Sequence, residues 1–131
     1  MDDVKTFVVG KNLYHDSSSK QVTGEAVYVD DISTPEGTLH AALITSPCAY
    51  GQLKGFDLKG LDMLPYETFF FSAKDIPGKN DIGPIFGNEP IFAEKEFTYF
   101  GQPLGVVITD NHYKSMHAVK KIKVIYEEFK K

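Results

Sequence analysis

The alternation of apolar and polar positions along the chain predicts short strands more often than helices. In "EAVYVDDI", Glu25 to Ile32, the residues Ala26, Tyr28 and Asp30 alternate with Val27 and Val29, as in a strand with one buried face. "STPEG" closes that segment as a turn. Thr38 to Thr45 ("TLHAALIT") reads as a core strand, and "SPCAYG" interrupts it with proline, glycine and small residues before "QLKGFDL" resumes as a strand. In "KGLDMLP", Leu61 and Leu64 stand three apart and the run stops at Pro65, which predicts a single helical turn. "ETFFFSA" is an aromatic strand ended by the turn "AKDIPG". "EFTYFGQPLGVVITD" reads as two strands hinged at Gly101 to Pro103, and Leu104 to Ile108 forms a continuous apolar run of the kind buried on both faces. Asp110 or Asn111 is placed to cap a helix whose stripe runs through His112, Tyr113, Met116, Val119 and Lys120 to about Lys121. The final "IKVIYEEF" sets Ile122, Val124 and Tyr126 against Lys123, Ile125 and Glu127, a last strand. The expected class is α+β, a single compact domain over residues 1–131 with a mixed β-sheet and a few short helices.

Two segments lack such a pattern. Lys11 to Thr23 holds turn formers and no periodic apolar face, so it reads as a polar loop. Pro77 to Pro90, "PGKNDIGPIFGNEP", is punctuated by Pro77, Gly78, Gly83, Pro84, Gly87 and Pro90, and must be a loop. A loop of this length in a compact domain is usually functional, so it is the first place to look for a contact surface.

Composition narrows the classes. With 131 residues, 42% hydrophobic and 24% charged residues and a net charge of −4, the chain suits one globular domain rather than a disordered or membrane protein. Phosphate binding needs a concentrated basic surface, and the basic cluster of Lys120, Lys121, Lys123, Lys130 and Lys131 encloses Glu127 and Glu128, which argues against nucleic acid as a partner. No apolar run reaches the roughly 20 residues of a membrane span. A single cysteine, Cys48, excludes an internal disulfide, and a cytoplasmic location is the default.

The usual chemical constellations are missing. The histidines are His15, His40, His112 and His117; the helical pair is five apart, where a shared face needs three or four, so no protein-bound metal is expected. Cys48 has no local partner base and reads as a structural thiol. "GPIFGNEP" lacks the lysine and the strand-to-helix context of a phosphate loop. Asp30 and Asp31 could couple as carboxylates, but neighbours on a strand point to opposite faces, so the pair reads as the end of a segment that fixes the chain's exit. Phe69, Phe70, Phe71, Phe92, Phe97, Tyr99 and Phe100 read as core and loop anchors. No catalytic residue is expected in this chain.

Taken in order, "VGKNLYHDSSSKQVTGEAVYVDDI", "LHAALITSPCAYGQLKGFD", "FFFSAKDIPG", "NEPIFA", "YFGQPLGVVITD" and "AVKKIKVIYEEF" closely resemble the a/b hammerhead domain of the xanthine dehydrogenase and aldehyde oxidase family, from about Val9 to Phe129. The resemblance implies a structural module of a molybdenum hydroxylase, an enzyme that oxidises heteroaromatic rings or aldehydes. Molybdopterin, iron–sulfur clusters and FAD are implied for a full-length relative, and no cofactor is implied for this chain alone. Gln102 matches the start of the family's "GQ" strand and is not equated with a cofactor-facing glutamine. The family loop matching Pro77 to Pro90 lies near the substrate funnel, which implies a substrate-channel role for Ile85 and Phe86. The expected partners are the remaining domains of such an enzyme, or a second copy of this chain through an apolar patch around that loop. The alternative reading is a stand-alone interaction module that kept the fold without the chemistry.

Overall fold

The computed structural model describes residues 10–85 and 87–129. The chain divides into two compact units that meet in sequence between Pro35 and Glu36.

In the first unit the polar segment forms a short helix, α1 (Ser18–Thr23), where the turn formers predict a loop. Serines start it: Ser18 donates its backbone N–H (2.9 Å) and its hydroxyl (2.8 Å) to the carbonyl of His15. Gly24 ends it in the left-handed conformation (φ 76°), where glycine carries no Cβ penalty. The strand expected at Glu25 to Ile32 does not form. Val29–Asp31 make a 3-10 turn, and Val27, Tyr28, Val29 and Ile32 are exposed. A period of two needs a partner strand to become a sheet, and this segment is paired with none among the described residues. Asp31 keeps its expected local task, accepting the Tyr28 N–H at 2.9 Å.

Among the described residues, the second unit holds all six strands, in two sheets. Strands β1 (His40–Thr45), β5 (Pro103–Thr109) and β3 (Phe69–Ser72) form one sheet with β5 in the centre; β4 (Glu96–Phe97), β2 (Gly51–Asp57) and β6 (Lys123–Glu128) form the other, with β2 central. Every pairing is antiparallel. The α+β class thus stands, but the one mixed sheet is replaced by two antiparallel ones. Helix α2 (His112–Val119) carries the chain from β5 in one sheet to β6 in the other, so the strand–helix–strand run makes no parallel pair.

The core lies between the layers. Ile44, Val107, Ala118 and Ile122 form one buried cluster and Ala93, Phe97 and Leu104 another; Phe56 and Val124 pack on both. Phe56 of β2 meets Phe70 of β3 edge to face at 4.9 Å, locking the sheets together. Fully buried Phe97 and Leu104 each contribute about 2–3 kcal/mol from the area removed from water.

Asn111 caps α2, its Oδ1 accepting the N–H groups of Tyr113 (2.8 Å) and Lys114 (3.4 Å). Of the stripe expected for α2, His112, Tyr113, Met116, Val119 and Lys120, only Val119 packs on the core. Ser115 and Ala118 are the helix's buried residues, while Tyr113 and Met116 stand exposed. Small side chains let the helix approach the sheet closely, and the Ser115 hydroxyl is satisfied by the carbonyl of His112 at 2.8 Å. The run Leu104 to Ile108 is also buried on one face only: Leu104 and Val107 face the core, and Val106 and Ile108 are half-buried.

Candidate functional site

The described residues of 77–90 form the loop that the glycines and prolines predict. Two adjacent polar side chains build it. Asn80 clasps the returning chain with a two-way bond, its Nδ2 donating to the carbonyl of Phe92 (2.8 Å) and its Oδ1 accepting the Phe92 N–H (3.0 Å). Asp81 turns its Oδ1 to the N–H groups of Gly83 (2.9 Å) and Glu89 (3.2 Å), while its Oδ2 pairs with Lys79 Nζ at 3.0 Å. The Ile82 N–H reaches the carbonyl of Glu89 at 2.8 Å, closing the loop's neck. The Gly83 hydrogen bond, then Lys79, hold the Asp81 carboxyl below the usual aspartate range.

Glycine is required around this carboxylate. A Cβ on Gly87, whose φ is +58°, would lie 2.9 Å from Asp81 Oδ2. Asn80 and Asp81 turn inward, while Ile82, 65% exposed, and Ile85, 80% exposed, stand outward beside the exposed Lys79, Asn88 and Glu89. Ile85 therefore sits at an open, apolar tip; Phe86 lies outside the described residues. Asn80 and Asp81 were not singled out in the sequence, although an aspartate two residues before a glycine, as in "NDIG", is the signal of a side-chain-closed turn.

A second polar knot braces the turn before β5. Buried Ser46 donates its hydroxyl to the carbonyl of Tyr99 (2.7 Å) and accepts the Gln102 N–H (3.0 Å), and its own N–H reaches the carbonyl of Gln102 (2.9 Å). Gln102 is 5% exposed and its Oε1 accepts the Thr98 N–H at 2.7 Å. That amide oxygen holds its own turn.

The other candidates are dispersed. His15 belongs to the first unit, where its Nδ1 lies 3.0 Å from the Ser17 hydroxyl. His117 Nδ1 lies 2.8 Å from the hydroxyl of Tyr66, and the rings of His40 and His112 meet edge-on at 6.2 Å, an approach their sequence separation gave no sign of. Among the described residues no three His, Cys, Asp or Glu side chains group as a metal cage. Cys48 is half-buried against the Phe97 cluster, its Sγ 3.8 Å from the carbonyl of Tyr50, a packing role with no base beside it in the contacts it makes. No helix among the described residues is long and apolar enough to cross a membrane.

Comparison with known proteins places the fold in a family. Residues 23–130 match the family model described as the aldehyde oxidase and xanthine dehydrogenase a/b hammerhead domain. Xanthine dehydrogenase of Dictyostelium discoideum is 40% identical over 116 residues, covering 88% of this chain and 8% of that protein. Xanthine dehydrogenase/oxidase of Gallus gallus is 42% identical over 122 residues, covering 93% and 9%. Among solved structures, the aldehyde oxidoreductase of Desulfovibrio desulfuricans superposes with a TM-score of 0.75 at 26% identity, over 88% of this chain and 14% of that one. The chain thus spans less than a tenth of the length of these curated relatives, and it belongs to the a/b hammerhead domain family of aldehyde oxidase and xanthine dehydrogenase.

Proposed function

We propose that the chain serves as the hammerhead module of a molybdenum hydroxylase that oxidises heteroaromatic rings or aldehydes, with its 77–90 loop shaping the substrate's path. The observation that carries this reading is the loop's construction: Asn80 and Asp81 bond inward, and Ile82 and Ile85 are held outward on a fixed frame. An apolar tip on a pinned loop is a wall for a flat, weakly polar substrate, because it gives contact area without losing side-chain order on binding. The remaining domains of the enzyme are the partners. Molybdopterin, iron–sulfur clusters and FAD belong to those domains, and the groups that carry the redox chemistry lie there too.

Two measurements test the reading. Purified alone, the chain is expected to contain no molybdenum by elemental analysis and to oxidise neither xanthine nor an aldehyde; turnover would overturn the assignment of a non-catalytic module. In the Dictyostelium xanthine dehydrogenase with its matching segment replaced by this chain, Ile85→Ala should raise KM for xanthine by several-fold and leave kcat within about twofold, the pattern of lost uniform binding. Unchanged KM and kcat would remove the loop from the substrate's path.

A further inference from the structure

The sheet β1-β5-β3 has an unusual outer face. Its inner face packs on α2 and the second sheet through Ala42, Ile44, Leu104 and Val107. The opposite face of an antiparallel sheet is ordinarily polar when water covers it. Here the register places Leu43 beside Val106 and Ala41 beside Ile108, with Phe71 and Phe69 on the other side of the same two β5 residues. Six apolar side chains thus form one two-row lattice across three strands, with no polar side chain inside it. Leu43 is 54%, Phe69 43% and Phe71 40% exposed.

We infer that this face is a docking surface for an uncharged, aliphatic surface of the rest of the same hydroxylase polypeptide. The inference rests on the family reading and names where in this chain the partner sits. Size decides between occupants. Three strands at about 4.8 Å spacing and some five residues at about 3.3 Å rise make a face of roughly 250 Å². A stable dimer needs about 800 Å² from each partner, so a second copy seated here would be held by less than a third of what is required. A surface in the same chain is already at high effective concentration and needs no such area. The relatives supply that chain, since this one covers only 8–9% of their length. The lattice has no group to hydrogen-bond a polar partner, and any charge laid on it would be desolvated without compensation.

The test uses Leu43→Glu with Phe71→Glu, in the free chain and in the Dictyostelium enzyme carrying this chain as its hammerhead segment. In the free chain both residues face water, so urea unfolding should be nearly unchanged and the fluorescence of an apolar-surface dye should fall. In the whole enzyme the same pair should shorten the half-life under limited proteolysis by at least about tenfold, because two carboxylates are then buried unpaired. An enzyme indifferent to the pair overturns this inference alone. A chimera that fails to assemble even with the unaltered chain overturns the hammerhead reading and this inference with it. A free chain that sediments as a dimer, and as a monomer once the pair is changed, assigns the face to a second copy and overturns it too. Should the glutamates unfold the free chain, Leu43→Thr with Phe71→Thr, polar but well suited to strands, carries the same comparison.

Discussion

Gly105 tests how closely the strands of the β1-β5-β3 sheet pack. It lies in β5, the central strand, and a Cβ there would stand 2.7 Å from the backbone oxygen of Phe71 and 3.2 Å from the ring of Phe70. The oxygen belongs to β3, which is hydrogen-bonded to β5, so it cannot retreat without breaking the ladder; the ring is held against Phe56. Gly105→Ala should therefore incur an overpacking cost of about 1–3 kcal/mol. Against this, alanine loses less backbone entropy on folding, which offsets about 0.4–1 kcal/mol. The net expectation is a loss of roughly 1–2 kcal/mol, or about 1 M in the urea midpoint for a slope near 1–2 kcal/mol/M. Gly78→Ala is the internal control: nothing lies within 4 Å of its Cβ, so only the entropic gain remains and the midpoint should hold or rise slightly. If Gly105→Ala were as stable as Gly78→Ala, the close approach of β5 to β3 would be wrong.

Three further substitutions probe the polar framework. Ser46→Ala removes the hydroxyl's bonds to the Tyr99 carbonyl and the Gln102 N–H, which keep only their mutual 3.3 Å bond, and should cost about 1 kcal/mol by urea unfolding. Asn111→Ala removes both bonds to the start of α2 and should cost about 1 kcal/mol by the same measure, with Asn111→Asp largely restoring it. Asp81→Asn should open the 77–90 loop to limited proteolysis while the helix and strand signal in circular dichroism stays unchanged. The pH dependence follows from the lowered carboxyl. The unfolded chain takes up the Asp81 proton near pH 3.9, above the folded value, so the carboxylate's contribution is complete at higher pH and fades as pH falls below about 4. Loop protection in the natural chain should therefore weaken on acidification through that range, and the Asp81→Asn chain should show no such step.

The parts of the fold legible in the sequence are those where local pattern and tertiary partner agree. β1, β5 and β6, the Asn111 cap and the excursion after Ile76 lie where apolar period and turn formers place them. Glu25 to Ile32 has a clean strand period but no neighbour to pair with among the described residues, and periodicity alone does not supply one. In α2 the ruling constraint is closeness to the sheet, so Ser115 and Ala118 go inward in place of the larger residues that a hydrophobic stripe selects. The loop's existence was readable from its prolines and glycines. Its internal order was not, because Asn80 and Asp81 act on backbone atoms as far as twelve residues away, and such bonds leave no pattern in side-chain hydrophobicity.

That mode of anchoring makes the loop an interchangeable cassette. Asn80 and Asp81 grip main-chain N–H and carbonyl groups, which almost every amino acid provides, so they set no demand on which side chains occupy the tip. Residues 82, 84 and 85 can be exchanged while the neck at Asn80, Asp81, Gly83 and Gly87 stays as it is. Variation in what the tip touches is thereby separated from variation in whether the domain folds, and a library randomised at those positions should yield mostly folded members.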